Sequence, residues 1–168
     1  FSEGFPVIEN IDSKIITELY KKGSIPADKV LSDSKTANGY YILKNGESES
    51  VMTRYNKTLD LIERVEKKYV YNVKPRNAEQ TFAIHALLNP DIKLVSLQGK
   101  AGTGKTLLAL AAALEQRSNY RQIYITRPVI PLTNQDLGFL PGDIESKMEP
   151  YMQSIWDNLQ FIKSLMGK

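Results

Sequence analysis

Apolar and polar positions follow two different rhythms along the 168 residues, and the change falls near Val73-Lys74-Pro75. Upstream, Ile15, Ile16, Leu19 and Tyr20 recur at helical spacing and Gly23 follows, which predicts a short helix closed by glycine. Tyr40–Lys44 and Ser50–Tyr55 then alternate around Asn45-Gly46, a strong hairpin signal, although the intervening loop has room for more than two residues. Asn56-Lys57-Thr58 reads as the next turn. Leu59–Val65 and Lys68–Val73 read as two further strands, the second rich in β-forming Tyr and Val. Residues 1–73 are therefore expected to form a small β-rich accessory module.

Downstream the pattern alternates helix with strand. Helices are expected over Ala78–Leu88, Lys105–Gln116 and Asp143–Met166, the last broken at Pro150. Strands are expected over Ile92–Leu97 and Gln122–Thr126. Such alternation predicts parallel βαβ units over 74–168. The stripe Met152, Ile155, Trp156, Leu159 and Ile162 is expected to pack against a neighbouring molecule or against chain outside this sequence.

Between the first of those strands and the helix after it lies Gly99-Lys100-Ala101-Gly102-Thr103-Gly104-Lys105-Thr106, followed by Leu107. It satisfies GxxxxGK[ST] at every fixed position, in the strand-to-helix context the motif requires. Glycines let successive backbone N–H groups converge on phosphate oxygens, and the helix N-terminus adds its positive end. Gly99, Ala101, Gly102, Thr103, Gly104, Lys105, Thr106 and Leu107 form the expected nucleotide-binding set. Lys105 would reach the β- and γ-phosphates, and the Thr106 hydroxyl would ligate Mg²⁺. Lys100, at a variable position of the motif, is expected to face solvent. The ligand is a nucleoside triphosphate or its product.

Upstream of the loop, Pro75-Arg76-Asn77-Ala78-Glu79-Gln80 has two readings. Asn77 can cap the helix and close a capping box with Gln80. Alternatively, the Gln80 amide can pair with the N6 and N7 edge of adenine.

Composition adds exclusions more than identity. A net charge of +3, spread without a basic tail, permits nucleic acid without arguing for it. The absence of cysteine excludes disulfides, thiolate metal sites and cysteine nucleophiles. No apolar run approaches a bilayer span, so no membrane partner is expected and the cytoplasm is the default. His85, the single histidine, has no second histidine to share a metal with. Tyr40, Tyr41, Tyr55, Tyr69 and Tyr71, with Arg54, Lys67 and Lys68 among them, could instead make an aromatic and basic strand surface for single-stranded RNA.

Three functions compete at this point: the ATPase domain of an RNA-handling motor, a small-molecule kinase, and a nucleotide-stabilised RNA- or protein-binding module. The motifs then narrow the choice. PRNAEQ ahead of the loop resembles the adenine-reading motif of helicase-type ATPases. Together with LVSLQGKAGTGKTLLALAAALEQ, IYITRPVIP and LGFLPGDIESKMEPYMQSIWDNL, it resembles the PhoH family of phosphate-starvation-inducible ATPases over Lys74 to about Phe161. Residues before it are similar to the segment joining PIN and PhoH domains in PIN–PhoH proteins.

That resemblance implies an α/β fold: a partial, helicase-like P-loop NTPase with an incomplete parallel sheet, preceded by the β-rich module. It further implies ATP or ADP with Mg²⁺ as ligands, Gln80 as adenine reader, and a phosphate or RNA contact at Arg127 in the TRP motif. A homo-oligomeric ring, single-stranded RNA and a PIN nuclease domain in the same parent chain are the implied partners. The family's magnesium-binding Asp-Glu pair has no counterpart in these residues. Asp136 and Asp143 follow no apolar strand, and Asp143 is placed to cap a helix. The sequence is accordingly expected to be a piece of a longer ATPase that binds nucleotide and hydrolyses it poorly alone.

Overall fold

The computed structural model of the chain describes residues 5–32, 35–128 and 144–167, with side chains of the last segment described from 152 onward. The fold is α/β, and it divides into two compact units that interleave along the chain. One comprises the described residues up to Lys68 together with Pro75–Asn89. The other comprises Tyr69–Lys74 and the described residues from Pro90 onward. The chain thus passes between units at 68/69, 74/75 and 89/90, where the change of sequence texture marks a single point.

The first unit is built on a five-stranded mixed sheet of β1 (Val7–Ile8), β2 (Ser24–Pro26), β3 (Tyr40–Asn45), β4 (Glu49–Asn56) and β5 (Leu61–Arg64). The spatial order is β1-β3-β4-β5-β2, with β1 parallel to β3 and the remaining pairs antiparallel. The β3–β4 hairpin turns where Asn45-Gly46 predicts, through residues 46–48, with Gly46 at φ +64° and Asn45 opposite Glu49. Register sorts the side chains by face. Leu43, Val51, Tyr55 and Ile62 are buried together with Ile16 and Leu19 of α1 (Ser13–Lys22), which covers that face. Asp12 caps α1 by accepting from the Lys14 N–H at 2.9 Å, and Gly23, left-handed at φ +81°, closes it onto the Leu19 carbonyl. Strands β1 and β2 are too short to carry an alternation, and the sequence reading passes over both.

On the opposite pleats Tyr40 stands opposite Arg54, and Arg54 opposite Glu63. Arg54 is 7% exposed, donating from Nη1 to Glu63 at 3.2 Å and from Nη2 to Asn38 at 2.7 Å. Helix α2 (Ala78–Leu88) packs here. The Phe82 ring lies 4.7 Å from Phe5 and 4.9 Å from Tyr40, and the Tyr40 hydroxyl meets His85 Nδ1 at 2.9 Å. Of the residues expected to make an aromatic and basic RNA surface, Tyr55 and Arg54 are interior and Tyr40, Tyr41 and Tyr71 half-buried, while Lys67, Lys68 and Tyr69 are exposed.

In the second unit, Lys68–Val73 is not a strand. Val70 and Val73 close on each other around Tyr71 and Asn72, at φ +44° and +64°, as a tight turn. The Tyr71 N–H donates to Glu115 at 2.7 Å, and the Arg117 guanidinium stands 5.1 Å over the Tyr71 ring. Helix α3 (Lys105–Glu115) buries Leu108, Leu110, Ala111 and Ala112. Helix α4 (Ile144–Leu165) packs against α3, runs through the break expected at Pro150, and buries Ile155 and Ile162 within this chain. Trp156 of the same stripe remains 52% exposed. The strands expected over Ile92–Leu97 and Gln122–Thr126 have no ladder partner among the described residues, and Leu94 and Tyr124 are exposed. β-forming side chains make a strand only where a second backbone pairs with the first. Among the described residues, no helix is long and apolar enough to cross a membrane.

Burial, reinforced by the nearby Arg54 and Lys68 cations and opposed by Glu63, holds His85 below the ordinary imidazole value of 6.5. The unfolded chain therefore takes up a proton on acidification before the folded one does, so stability falls as pH drops below that value. Urea unfolding at about pH 7.5 and about pH 5.5 should show this loss, and His85→Gln should flatten the slope over that interval. An unchanged slope in the variant would contradict the assignment.

Candidate functional site

Helix N-termini carry backbone N–H groups without intrahelical partners, and this chain meets that demand in two ways. Asp12 and Asn77 cap α1 and α2 with side-chain oxygens, and Glu79 adds an acid to the first turn of α2. Helix α3 has neither: its cap is Gly104, left-handed at φ +87°, with no side-chain cap and no acid in the first turn. Gly102 is also left-handed, at φ +79°. Two left-handed glycines separated by a single residue curl the backbone at the start of α3, a conformation glycine adopts at little steric cost.

Lys105, the first residue of α3, reaches back across this turn. Its ammonium donates to the Gly99 carbonyl at 2.8 Å, the Lys100 carbonyl at 2.7 Å and the Thr103 hydroxyl at 3.2 Å. Three acceptors match the three donors of an ammonium. Thr103 in turn donates to the Lys100 carbonyl at 2.8 Å. Lys100 thus supplies backbone oxygen to the loop while its own residue stays exposed, as its variable position suggests. Thr103 as the internal strut and Lys100 as a carbonyl donor to the turn's closure are roles the motif does not advertise, since any residue type supplies a carbonyl. Gly99, Ala101, Gly102, Thr103 and Thr106 are exposed, and Gly104, Lys105 and Leu107 half-buried. The Lys105 ammonium thus gathers Gly99, Lys100 and Thr103 around one charged nitrogen.

Gln80 belongs to the first unit and the loop to the second. Gln80 N–H donates to Asn77 Oδ1 at 2.9 Å, and Gln80 Oε1 accepts from Arg76 N–H at 2.8 Å. The cap expected at Asn77 is present, with the return bond landing one residue earlier than a capping box places it. Arg127 donates to the Ser154 hydroxyl on α4, a partner that no sequence spacing indicates. Among the described residues no group of three acidic or histidine side chains could hold a metal. Asp136 and Asp143 lie outside the described residues.

The glycines differ in what a methyl group would meet. At Gly102 nothing lies within 4 Å, so only the left-handed backbone resists substitution, whereas a Cβ at Gly99 would come within 3.1 Å of Thr103 Oγ1. Gly102→Ala should cost roughly 1–2 kcal/mol of backbone strain in the folded loop. Gly99→Ala should also destabilise, and adding Thr103→Ala should recover part of that loss. Thermal unfolding of the three variants checks this, and an additive double variant would show that the contact is unimportant.

Comparison with known proteins fits this geometry. The family profile described as PhoH-like protein matches residues 72–165. Protein PhoH2 of Bacillus subtilis (strain 168) is 38% identical over 159 residues, covering 90% of this chain and 36% of that protein. Protein PhoH2 of Thermobispora bispora is 42% identical over 98 residues, covering 56% of this chain and 22% of its own. Protein PhoH of Escherichia coli (strain K12) is 38% identical over 86 residues, or 50% of this chain and 23% of that one. The chain therefore spans roughly a third or less of the length of these relatives. No solved structure matches it. With the profile covering more than half of its residues, the chain belongs to the PhoH family.

Proposed function

We propose that this chain binds ATP or ADP through Gly99–Thr106, and that in the whole protein hydrolysis of ATP is coupled to handling single-stranded RNA. The observation that carries the reading is the opening of α3: an uncapped helix N-terminus, two left-handed glycines and a lysine ammonium converge on one small region. Polyphosphate is the anion such a region suits, because its oxygens accept from backbone N–H groups and ammonium together. Lys105 would exchange neutral carbonyl partners for charged phosphate oxygens, and charge-assisted bonds are the stronger kind. Thr106, exposed in the first turn of α3, would offer its hydroxyl to Mg²⁺, which supplies charge neutralisation at the phosphates when bound.

Gln80 is the adenine reader in this proposal on the resemblance of Pro75–Gln80 to the helicase-type motif: a glutamine amide pairs with the N6 and N7 edge of adenine and mismatches guanine there. Holding Oε1 on the backbone also fixes the rotamer, lowering the ordering cost of base recognition. Hydrolysis by this chain alone is slow in this reading, because no carboxylate follows an apolar strand after the loop to hold the metal.

Calorimetry with Mg²⁺ should show ADP and ATP binding, with GTP weaker. Lys105→Ala should lose affinity by roughly a hundredfold, on the order of the two charge-assisted bonds removed. Phosphate release should be negligible for this chain, and in the full-length parent it should rise on adding single-stranded RNA. No heat with either adenine nucleotide would end the nucleotide assignment; equal GTP affinity would end the role of Gln80; and indifference of the parent to RNA would end the coupling.

A further inference from the structure

The first unit holds a cleft of about 330 Å³ that the phosphate loop does not use, between the end of β5 and the C-terminal half of α2. Its floor is apolar: Ile84 and Leu88, four residues apart, share one face of α2. Its wall carries two cations, Arg64 and Lys68, and one carboxylate, Glu66. The ring of His85 also lines it, with Nδ1 already engaged by the Tyr40 hydroxyl, so Nε2 is the ring nitrogen open to a ligand.

Arg64 is held for recognition rather than left to wander. Its backbone N–H donates to the Gly23 carbonyl at 2.8 Å, where α1 ends, and its guanidinium lies 4.4 Å from the centre of the Tyr20 ring. Tyr20 is itself tied by its hydroxyl to the Ser50 carbonyl at 2.8 Å. A guanidinium stacked on a fixed ring is oriented before any ligand arrives, which lowers the cost of binding. Its ionic partner is replaceable: Glu66 approaches at 3.3 Å and its side chain is 54% exposed, and such surface pairs contribute little. When Glu66 gives way, two cations face an apolar floor.

We propose that this cleft binds a small organic phosphomonoester, its phosphate held by Arg64 and Lys68 and its apolar body laid on Ile84 and Leu88. A phosphomonoester carries about −1.5 to −2 charges at neutral pH, matching two cations where a carboxylate would match one. Its three terminal oxygens accept from a guanidinium fork and an ammonium at once. The volume is at the lower end for small-molecule sites, which favours a compact ligand over a polymer threading through. The groups facing His85 are Tyr40, Arg54, Glu63 and Lys68, with Arg64 and Glu66 across the cleft; an anion there offsets the cations that disfavour the imidazolium.

Because the chain has one histidine, its ring resonances report on this site alone. Phenyl phosphate should shift them saturably, while phenol and inorganic phosphate should do so far more weakly. Arg64→Gln and Lys68→Gln should each weaken phenyl phosphate roughly tenfold, the scale of one charge-assisted hydrogen bond. Lys68 is exposed, so its replacement tests the site even if the Arg64 variant folds poorly. Lys105→Ala should leave the shift intact, separating this site from the nucleotide loop. No saturable shift, a shift indifferent to both cation variants, or a shift given only by a single-stranded oligonucleotide would each overturn the proposal. Inorganic phosphate matching phenyl phosphate would overturn the apolar floor.

Discussion

A helix cannot begin without leaving backbone N–H groups in need of acceptors, and how each helix here meets that need organises the molecule. Where the helix is purely architectural, a side chain does it: Asp12 starts α1, which then buries Ile16 and Leu19 against the sheet. Where α3 begins, the chain instead inserts glycine and brings a lysine back over the turn. That choice costs stability twice, through glycine's larger loss of conformational freedom and through the missing cap. Lys105 offsets part of the cost by closing onto Gly99, Lys100 and Thr103, so the loop has shape before any ligand arrives.

Helix α2 stands between these two cases. It is capped by Asn77, and Gln80 in its first turn is bound to the backbone at Arg76. Further along, Phe82 and His85 lock the helix onto the sheet through Tyr40. Tyr40 is held protonated up to about 12 chiefly by burial, so it stays a neutral phenol beside an imidazole whose pKa burial lowers.

The legible parts of the sequence were those governed by local rules. Gly23 ended α1, Asn45-Gly46 turned the hairpin, Asn77 opened α2, and the glycine-lysine motif curled as its spacing required. Each depends on residues a few positions apart. The illegible parts depended on partners distant in sequence. Tyr40 looked like a display residue until His85 of α2, 45 positions on, met its hydroxyl, and Arg54 until Glu63 and Asn38 took up its guanidinium. Lys68–Val73 had the composition of a strand, yet Tyr71 and Asn72 adopted left-handed backbone and the segment folded back on itself against Glu115. Ile92–Leu97 and Gln122–Thr126 have the side chains of strands and, among the described residues, no second backbone to pair with. Propensity states what a segment can become; pairing decides whether it does.

The same distinction applies to Arg127. Sequence places it at the end of an apolar run before Pro128, where it could face phosphate or a nucleic-acid backbone. In the structure its guanidinium donates to Ser154 of α4, a neutral hydroxyl at an exposed position. A guanidinium has five donors, and one neutral acceptor satisfies little of that capacity or of its charge. The bond therefore parks the side chain without committing it, much as the loop carbonyls park Lys105. Both cations are therefore held by neutral oxygens, Lys105 by two carbonyls and a hydroxyl and Arg127 by a hydroxyl, and in neither case does an ion pair fix the side chain among the described residues.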